Sequence, residues 1–320
     1  MFTKITPLLL VLILGLQFAG AQTKSPRTAE QYNDRGLERQ NAGEIDGAIE
    51  DFTTAISLRP VPLLLAAIYY NRANAKLSKN DFAGAVADYS KAIEIQPGDY
   101  AQYYNRGMAL LAKGDVDAAI TDFSKALELH PKFPLAFSNR GTARKTKGDV
   151  EGALSDYTRA IELDPKYSDA YYNRGAVLQE KKELDAAIAD YSKALEFAPK
   201  FSDAYVNRGG ARQAKGDLDG ALSDYNHAID LKADDAGVYY ARATALQAKK
   251  DLNGAVADYS KAIQLDPRSA LAYANRAVIE AEQGRNAEAT SDFSKAFQIE
   301  PSLRSSFKKF IQTRHLKVLP

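Results

Sequence analysis

An arginine and an aspartate stand sixteen residues apart eight times in this chain. The pairs are Arg35 and Asp51, Arg72 and Asp88, Arg106 and Asp122, Arg140 and Asp156, Arg174 and Asp190, Arg208 and Asp224, Arg242 and Asp258, and Arg276 and Asp292. Opposite charges at a fixed offset can tie two helices together, or the guanidinium can stand ready for an anion. Joint recurrence of acid and base points to the tie. One such pair at a surface is worth only ~0 to 1 kcal/mol, but eight in register also fix packing. Catalysis has less to work with. His130, His227 and His315 are scattered, cysteine is absent, and no HExxH, GxSxG or phosphate-cradling glycine loop occurs. The carboxylates follow the period of the chain instead of converging on one place, so no enzyme, metal or cofactor is expected.

The residue before each arginine suits a different chemistry. Asn71, Asn105, Asn139, Asn173, Asn207 and Asn275 form a row interrupted by Asp34 and Ala241. A side-chain amide offers donor and acceptor together, which matches the paired N–H and C=O groups of an extended peptide. Each such bond is worth ~0.5 to 1.5 kcal/mol net, so a row gives broad affinity and little sequence choice. The competing reading is that each Asn bonds the backbone of the neighbouring unit. One residue earlier stand Tyr70, Tyr104, Tyr172 and Tyr240, with Asn33, Ser138, Val206 and Ala274 at the sister places. Tyrosine anchors interfaces through flat apolar area and a hydroxyl, or fills space between helices. These six Asn and four Tyr are the candidate peptide-binding residues.

The elements that carry them repeat too. From Gly36 through Ala73, Gly107, Gly141, Gly175, Gly209 and Ala243 to Ala277, six intervals are 34 residues and the first is 37. A period of this size means stacked supersecondary units, none able to bury its apolar face alone. Within one unit, Tyr103 to Lys113 has apolar residues at helical spacing, and Gly114-Asp115 supplies a helix-ending glycine followed by a helix-starting carboxylate. A second amphipathic run, Ala118 to Leu129, stops at Pro131, which cannot continue a helix. Each unit is therefore helix, turn, helix. The extra three residues near Pro60 to Leu65 predict a local change of geometry between units one and two.

An aromatic four residues before the Gly, then Ala, Phe or Tyr, Ala and Pro at 12, 16, 19 and 24 residues after it, recur in register; Tyr171, Gly175, Ala187, Tyr191, Ala194 and Pro199 are one set. This pattern resembles the tetratricopeptide repeat family. Departures are small: Ala at Ala73, Ala243 and Ala277, Ala233 in place of a proline, and Phe137 as the aromatic. The resemblance implies an all-α, right-handed superhelical solenoid of eight repeats over residues 29–303, beginning near 29, 66, 100, 134, 168, 202, 236 and 270. It also implies that the Asn and Tyr rows line an inner, concave groove. The Asn row is similar to the asparagine ladder of the O-linked N-acetylglucosamine transferase repeats, which holds peptides by main chain. The carboxylate clamp of heat-shock co-chaperones is a poor match. Its basic positions correspond to Ala101, Asn105, Leu135 and Asn139, all uncharged.

Both ends differ from the array. Lys4, the apolar run Leu8 to Phe18 and Ala19-Gly20-Ala21 read as a secretory signal peptide over residues 1–21, cleaved after Ala21, followed by a linker at 22–28. An exported chain, periplasmic or secreted, is expected. Without residues 1–21 the 42 basic side chains become 41 against 41 acidic ones, a balance with no pull toward nucleic acid. At the other end Leu303, Phe307, Phe310 and Ile311 share a helical face, which reads as a cap over the last repeat. Residues 304–320 also carry Arg304, Lys308, Lys309, Arg314 and Lys317 with no acid. Membrane contact would need that basic tail or an uncleaved leader. The expected partner is a protein or peptide held by a non-catalytic scaffold, with self-association of copies as the alternative.

Overall fold

The computed structural model describes residues 27–318. The leader expected at 1–21 and positions 22–26 of the linker lie outside the described residues. Among the described residues there is no strand. Up to Pro165, four helical hairpins follow one another: α1 (Ala29–Asn41) with α2 (Ile45–Ser57), α3 (Pro62–Ser78) with α4 (Phe82–Ile95), α5 (Tyr100–Lys113) with α6 (Val116–Leu129), and α7 (Pro134–Lys147) with α8 (Val150–Leu163). From Lys166 a second unit holds α9 (Ser168–Glu180) with α10 (Leu184–Phe197), α11 (Ser202–Ala214) with α12 (Leu218–Leu231), α13 (Ala236–Ala248) with α14 (Leu252–Leu265), α15 (Ala270–Glu282) with α16 (Asn286–Ile299), and α17 (Leu303–Thr313). No helix among the described residues is long and apolar enough to cross a membrane.

Local chemistry opens and turns each hairpin. Thr28 and Gln31 form a reciprocal capping box on α1. Asp81, Asp149, Asp217 and Asp251 cap second helices by accepting from the N–H of Gly84, Gly152, Gly220 and Gly254. Every hairpin turn puts one residue at positive φ. Five are glycine, at Gly43, Gly114, Gly148, Gly216 and Gly284, but Asn80, Lys182 and Lys250 take the same place at φ 61°, 63° and 67°. The three extra residues become helix. α3 opens at Pro62, ahead of the boundary near 66, and runs 17 residues where the other first helices run 13 or 14. Pro62 at its first turn supplies a φ already suited to a helix start.

The core is written at i, i+4 and i+7 of each second helix. In the first unit Ala85, Tyr89 and Ala92, or Ala119, Phe123 and Ala126, expose nothing; in the second, Ala187, Tyr191 and Ala194 do the same. Each ring lies under the small residue of the first helix. A Cβ added at Gly107 would come within 2.9 Å of the Phe123 ring, so close approach of the two helices sets the residue size there. In the second unit α17 folds Leu303, Phe307, Phe310 and Ile311 onto Phe293 and Phe297, with Phe293 and Phe307 ring centroids 5.4 Å apart. An amphipathic helix thus covers the apolar side of the last repeat.

Candidate functional site

All eight recurrent arginines hold their aspartates. Arg106 donates from Nε to Asp122 Oδ2 at 2.7 Å and from Nη2 to Oδ1 at 2.8 Å, the two-pronged geometry that planar guanidinium and carboxylate share. The other pairs repeat it, and the aspartates are buried. The remaining nitrogen reaches the second helix of the preceding repeat: Arg72 bonds Thr53, Arg106 bonds Ser90, Arg140 bonds Ser124, Arg208 bonds Ser192, Arg242 bonds Asn226 and Arg276 bonds Ser260, at 2.7–3.1 Å. Each guanidinium also lies over the aromatic three residues earlier, as Arg140 over Phe137 at 5.5 Å. The hydrogen bond to Asp122 raises the Arg106 pKa still further. With carboxylate, neighbour and ring all engaged, these arginines serve packing, and the anion-binding alternative falls.

The Asn and Tyr rows are joined to each other. Asn105 Nδ2 donates to Tyr70 Oη at 2.6 Å, Asn139 to Tyr104 at 2.8 Å, Asn207 to Tyr172 at 3.0 Å and Asn275 to Tyr240 at 3.0 Å. Asn71 donates to Asn33 Oδ1 at 2.9 Å. The partner is a side chain of the preceding repeat, neither the backbone bond nor the free amide that the sequence suggests. Tyr104 and Asn105 expose 2% and 1%, so the expectation that these two touch a ligand is corrected. Tyr104 fills the interior against Phe123 and Phe133 instead. Asn71, Asn139, Asn173, Asn207, Asn275, Tyr70, Tyr172 and Tyr240 are half-buried. Burial pushes the Tyr70, Tyr172 and Tyr240 hydroxyls above their ordinary pKa, so they stay neutral at physiological pH.

A further row escaped sequence reasoning. In the second unit Tyr191 donates to Gln179 Oε1 at 2.8 Å, Tyr225 to Gln213 at 2.9 Å and Tyr259 to Gln247 at 2.9 Å. Burial pushes the Tyr225 hydroxyl up to about 12. The three glutamines are half-buried, 34 residues apart, and each has its carbonyl occupied from beneath. Gln213 Nε2 then reaches Thr244 Oγ1 of the next repeat at 3.1 Å. Their period was the available signal, four residues after each Gly or Ala, and Gln40 shares the place, but Leu77, Leu111, Lys145 and Ala281 break the row. Among the described residues no group of His, Asp or Glu is placed to hold a metal ion.

Comparison with known proteins agrees with the repeat fold. Models described as tetratricopeptide repeat match residues 66–99, 100–133, 168–201 and 202–235, and one described as TPR repeat matches 141–182 and 245–284. A curated relative, the tetratricopeptide repeat protein 36 homolog of Nematostella vectensis, is 36% identical over 69 residues, 22% of this chain. The match spans only 36% of that relative's length. Among solved structures, a tetratricopeptide repeat protein from Parabacteroides merdae is similar with a TM-score of 0.57 at 23% identity, covering 78% of this chain and 98% of its own. The APC/C hetero-tetramer Cut9–Hcn1 is similar with a TM-score of 0.59 at 15% identity, covering 83% of this chain and 52% of its own. At these identities the likeness concerns the fold alone.

Proposed function

Because the chain belongs to the tetratricopeptide repeat family, we propose that it is a non-catalytic interaction scaffold. Its first-helix face, the inner groove of the stacked repeats, holds an extended peptide or partner helix. The observation that carries this reading is the glutamine row. With each Oε1 taken by a tyrosine hydroxyl, Gln179 and Gln247 keep their amide N–H groups for outside acceptors, and Gln213 keeps the one that does not bond Thr244, at one-repeat intervals. Main-chain carbonyls are such acceptors, and each bond adds about 1 kcal/mol, which favours length of peptide over sequence. The half-buried Asn207 and Asn275, steadied by Tyr172 and Tyr240, extend the same polar surface. The leader-like residues 1–21 support placing this scaffold outside the cytoplasm, in a periplasm or secreted.

The test uses photo-crosslinkers at Gly210 and Thr244 in the protein's own cells. A Cβ at Gly210 lies 3.8 Å from Gln179 Nε2 with no closer neighbour, so a probe fits beside the row. The comparison chain carries Gln179→Leu, Gln213→Leu and Gln247→Leu, a residue this fold already accepts at Leu77 and Leu111. A discrete partner captured by the first chain and lost from the second supports the groove. Unchanged adducts in both sink it.

A further inference from the structure

Many exposed charges on this chain meet one another. Lys91 meets Glu94 at 2.8 Å, Lys125 meets Glu128 at 2.7 Å, Arg159 meets Glu162 at 2.7 Å and Lys193 meets Glu196 at 2.8 Å. Between successive repeats Lys147 meets Asp117 at 2.6 Å, and Lys79, Lys215 and Lys249 meet Asp46, Asp185 and Asp219. Single charges such as Glu50, Glu282 and Glu288 also stand unpaired, but α1 and α17 gather theirs by sign. On α1, Glu30, Asp34 and Glu38 recur every fourth residue on an exposed face and form no ion pair with any described residue. On α17, Lys308 and Lys309 are exposed and equally unpaired, Lys317 follows, and Arg304 and Arg314 lie over the rings of Phe297 and Phe310.

Like charges four residues apart on a helix repel, so each strip is held at a cost to its own helix. The two strips have opposite sign and similar length: the eight steps from Glu30 to Glu38 and the ten from Arg304 to Arg314 span roughly 12 and 15 Å at 1.5 Å per residue. The apolar face of α17 is already committed to Phe293 and Phe297, so its outward faces offer Lys308 and Lys309 among Ser305, Ser306, Gln312 and Thr313. α1 packs on α2 and α3, and α17 on α16, so each has a side that its own hairpin does not cover.

We propose that the acidic strip of α1 in one copy docks on the basic strip of α17 in another. The occupant is a second copy because both halves of the complementary pair are present on this chain. The contact joins two different surfaces, so it is heterologous, and it propagates into rings or filaments instead of stopping at a symmetric dimer. Its strength falls with salt, since the charges are exposed and are screened beyond a Debye length of about 10 Å at 0.1 M.

Sedimentation velocity of the purified chain across a concentration series, at low and high salt, tests this. Three samples are compared: the wild type, Lys308→Glu with Lys309→Glu, and Glu30→Lys with Glu38→Lys, each checked for a native helical spectrum. The expected result is salt-sensitive association of the wild type, its loss in each variant alone, and its return when the two variants are mixed, because the swapped strips again match. A wild type that stays monomeric overturns the proposal, as does association that neither swap changes. Binding of a monomeric wild type to phosphatidylserine vesicles, lost with the lysine swap, overturns it in favour of a lipid surface.

Discussion

Arg140 grips Asp156 through two parallel bonds, Nε to Oδ2 at 2.9 Å and Nη2 to Oδ1 at 2.7 Å, and Arg144 brings a second guanidinium to the same Oδ2 at 2.8 Å. The carboxylate is nearly sealed, with a side-chain exposure of 3%. Arg39, Lys76 and Arg212 add the same second cation to Asp51, Asp88 and Asp224, whereas three other repeats place Leu110, Leu178 and Leu246 there.

Removing one partner of a buried pair leaves charge without compensation, which costs roughly 3–5 kcal/mol. Asp156→Ala strands two arginines, and a loss of about 3 kcal/mol in urea unfolding is expected. The double variant Arg140→Met with Asp156→Leu, which removes both charges of the main pair, should lose clearly less. Equal losses would show that packing, not charge, dominates at this position.

Glu280 occupies in the last repeat the place that Arg144 and Arg212 fill elsewhere. It is buried, its Oε2 has no hydrogen-bond partner, and Arg285 is 3.7 Å from Oε1. Burial, then the charge of Asp292, raises its pKa above the ordinary carboxylate value. The fold therefore favours the protonated form. Glu280 is best tolerated below the ordinary carboxylate pKa, and that contribution is lost as pH rises through its raised value. Glu280→Leu should stabilise the protein by about 1 kcal/mol at neutral pH, since an unpaired buried polar group costs ~1–3 kcal/mol. The advantage in melting temperature should shrink as pH falls toward the acid range. A pH-independent gap would mean that the carboxylate is not titrating in the fold.

Lys182 and Lys250 hold left-handed turns that five sister repeats give to glycine. A side chain with a Cβ is strained there, by about 1–2 kcal/mol. Lys182→Gly and Lys250→Gly should each stabilise by about 0.5–1 kcal/mol, after the greater freedom of glycine in the unfolded chain is set against the relief. The converse, Gly148→Lys, should destabilise by a similar amount in the same melting experiment.

Phe307 and Phe310 close the apolar side of the last repeat against Phe293. Both are partly exposed, so Phe307→Ala should cost about 2 kcal/mol, less than the ~3–5 kcal/mol of a sealed phenylalanine. In hydrogen exchange, amides of α15 and α16 should lose protection before those of α9 and α10. Uniform loss along the second unit would show that α17 does not act locally.

The Arg–Asp tie was legible in advance because both members recur at one offset, and an ion pair needs no more than that offset to be recognised. The amides were legible as a row but not as to direction. Asn139 lies 35 residues after Tyr104, a spacing as regular as any other here, yet regularity is shared by buried and exposed positions alike. The glutamines went unread because Leu77, Leu111 and Lys145 separate Gln40 from the other three, and what singles those three out is a tyrosine hydroxyl approaching from the partner helix.

The chain by itself determined the hairpin, its near-constant period, the turn position and the glycine-sized gap beneath each aromatic, since these depend on neighbours one helix or one repeat away. Tertiary structure alone decided which recurring polar groups meet each other and which meet water. Tyr104 is sealed while Tyr172 and Tyr240 are half-buried at the same repeat position, although Phe201 packs on Tyr172 at 4.6 Å much as Phe133 does on Tyr104 at 4.8 Å. Coverage of a side chain is set by the bulk and closeness of what lies opposite, and a periodic sequence states only where a residue recurs, not what covers it.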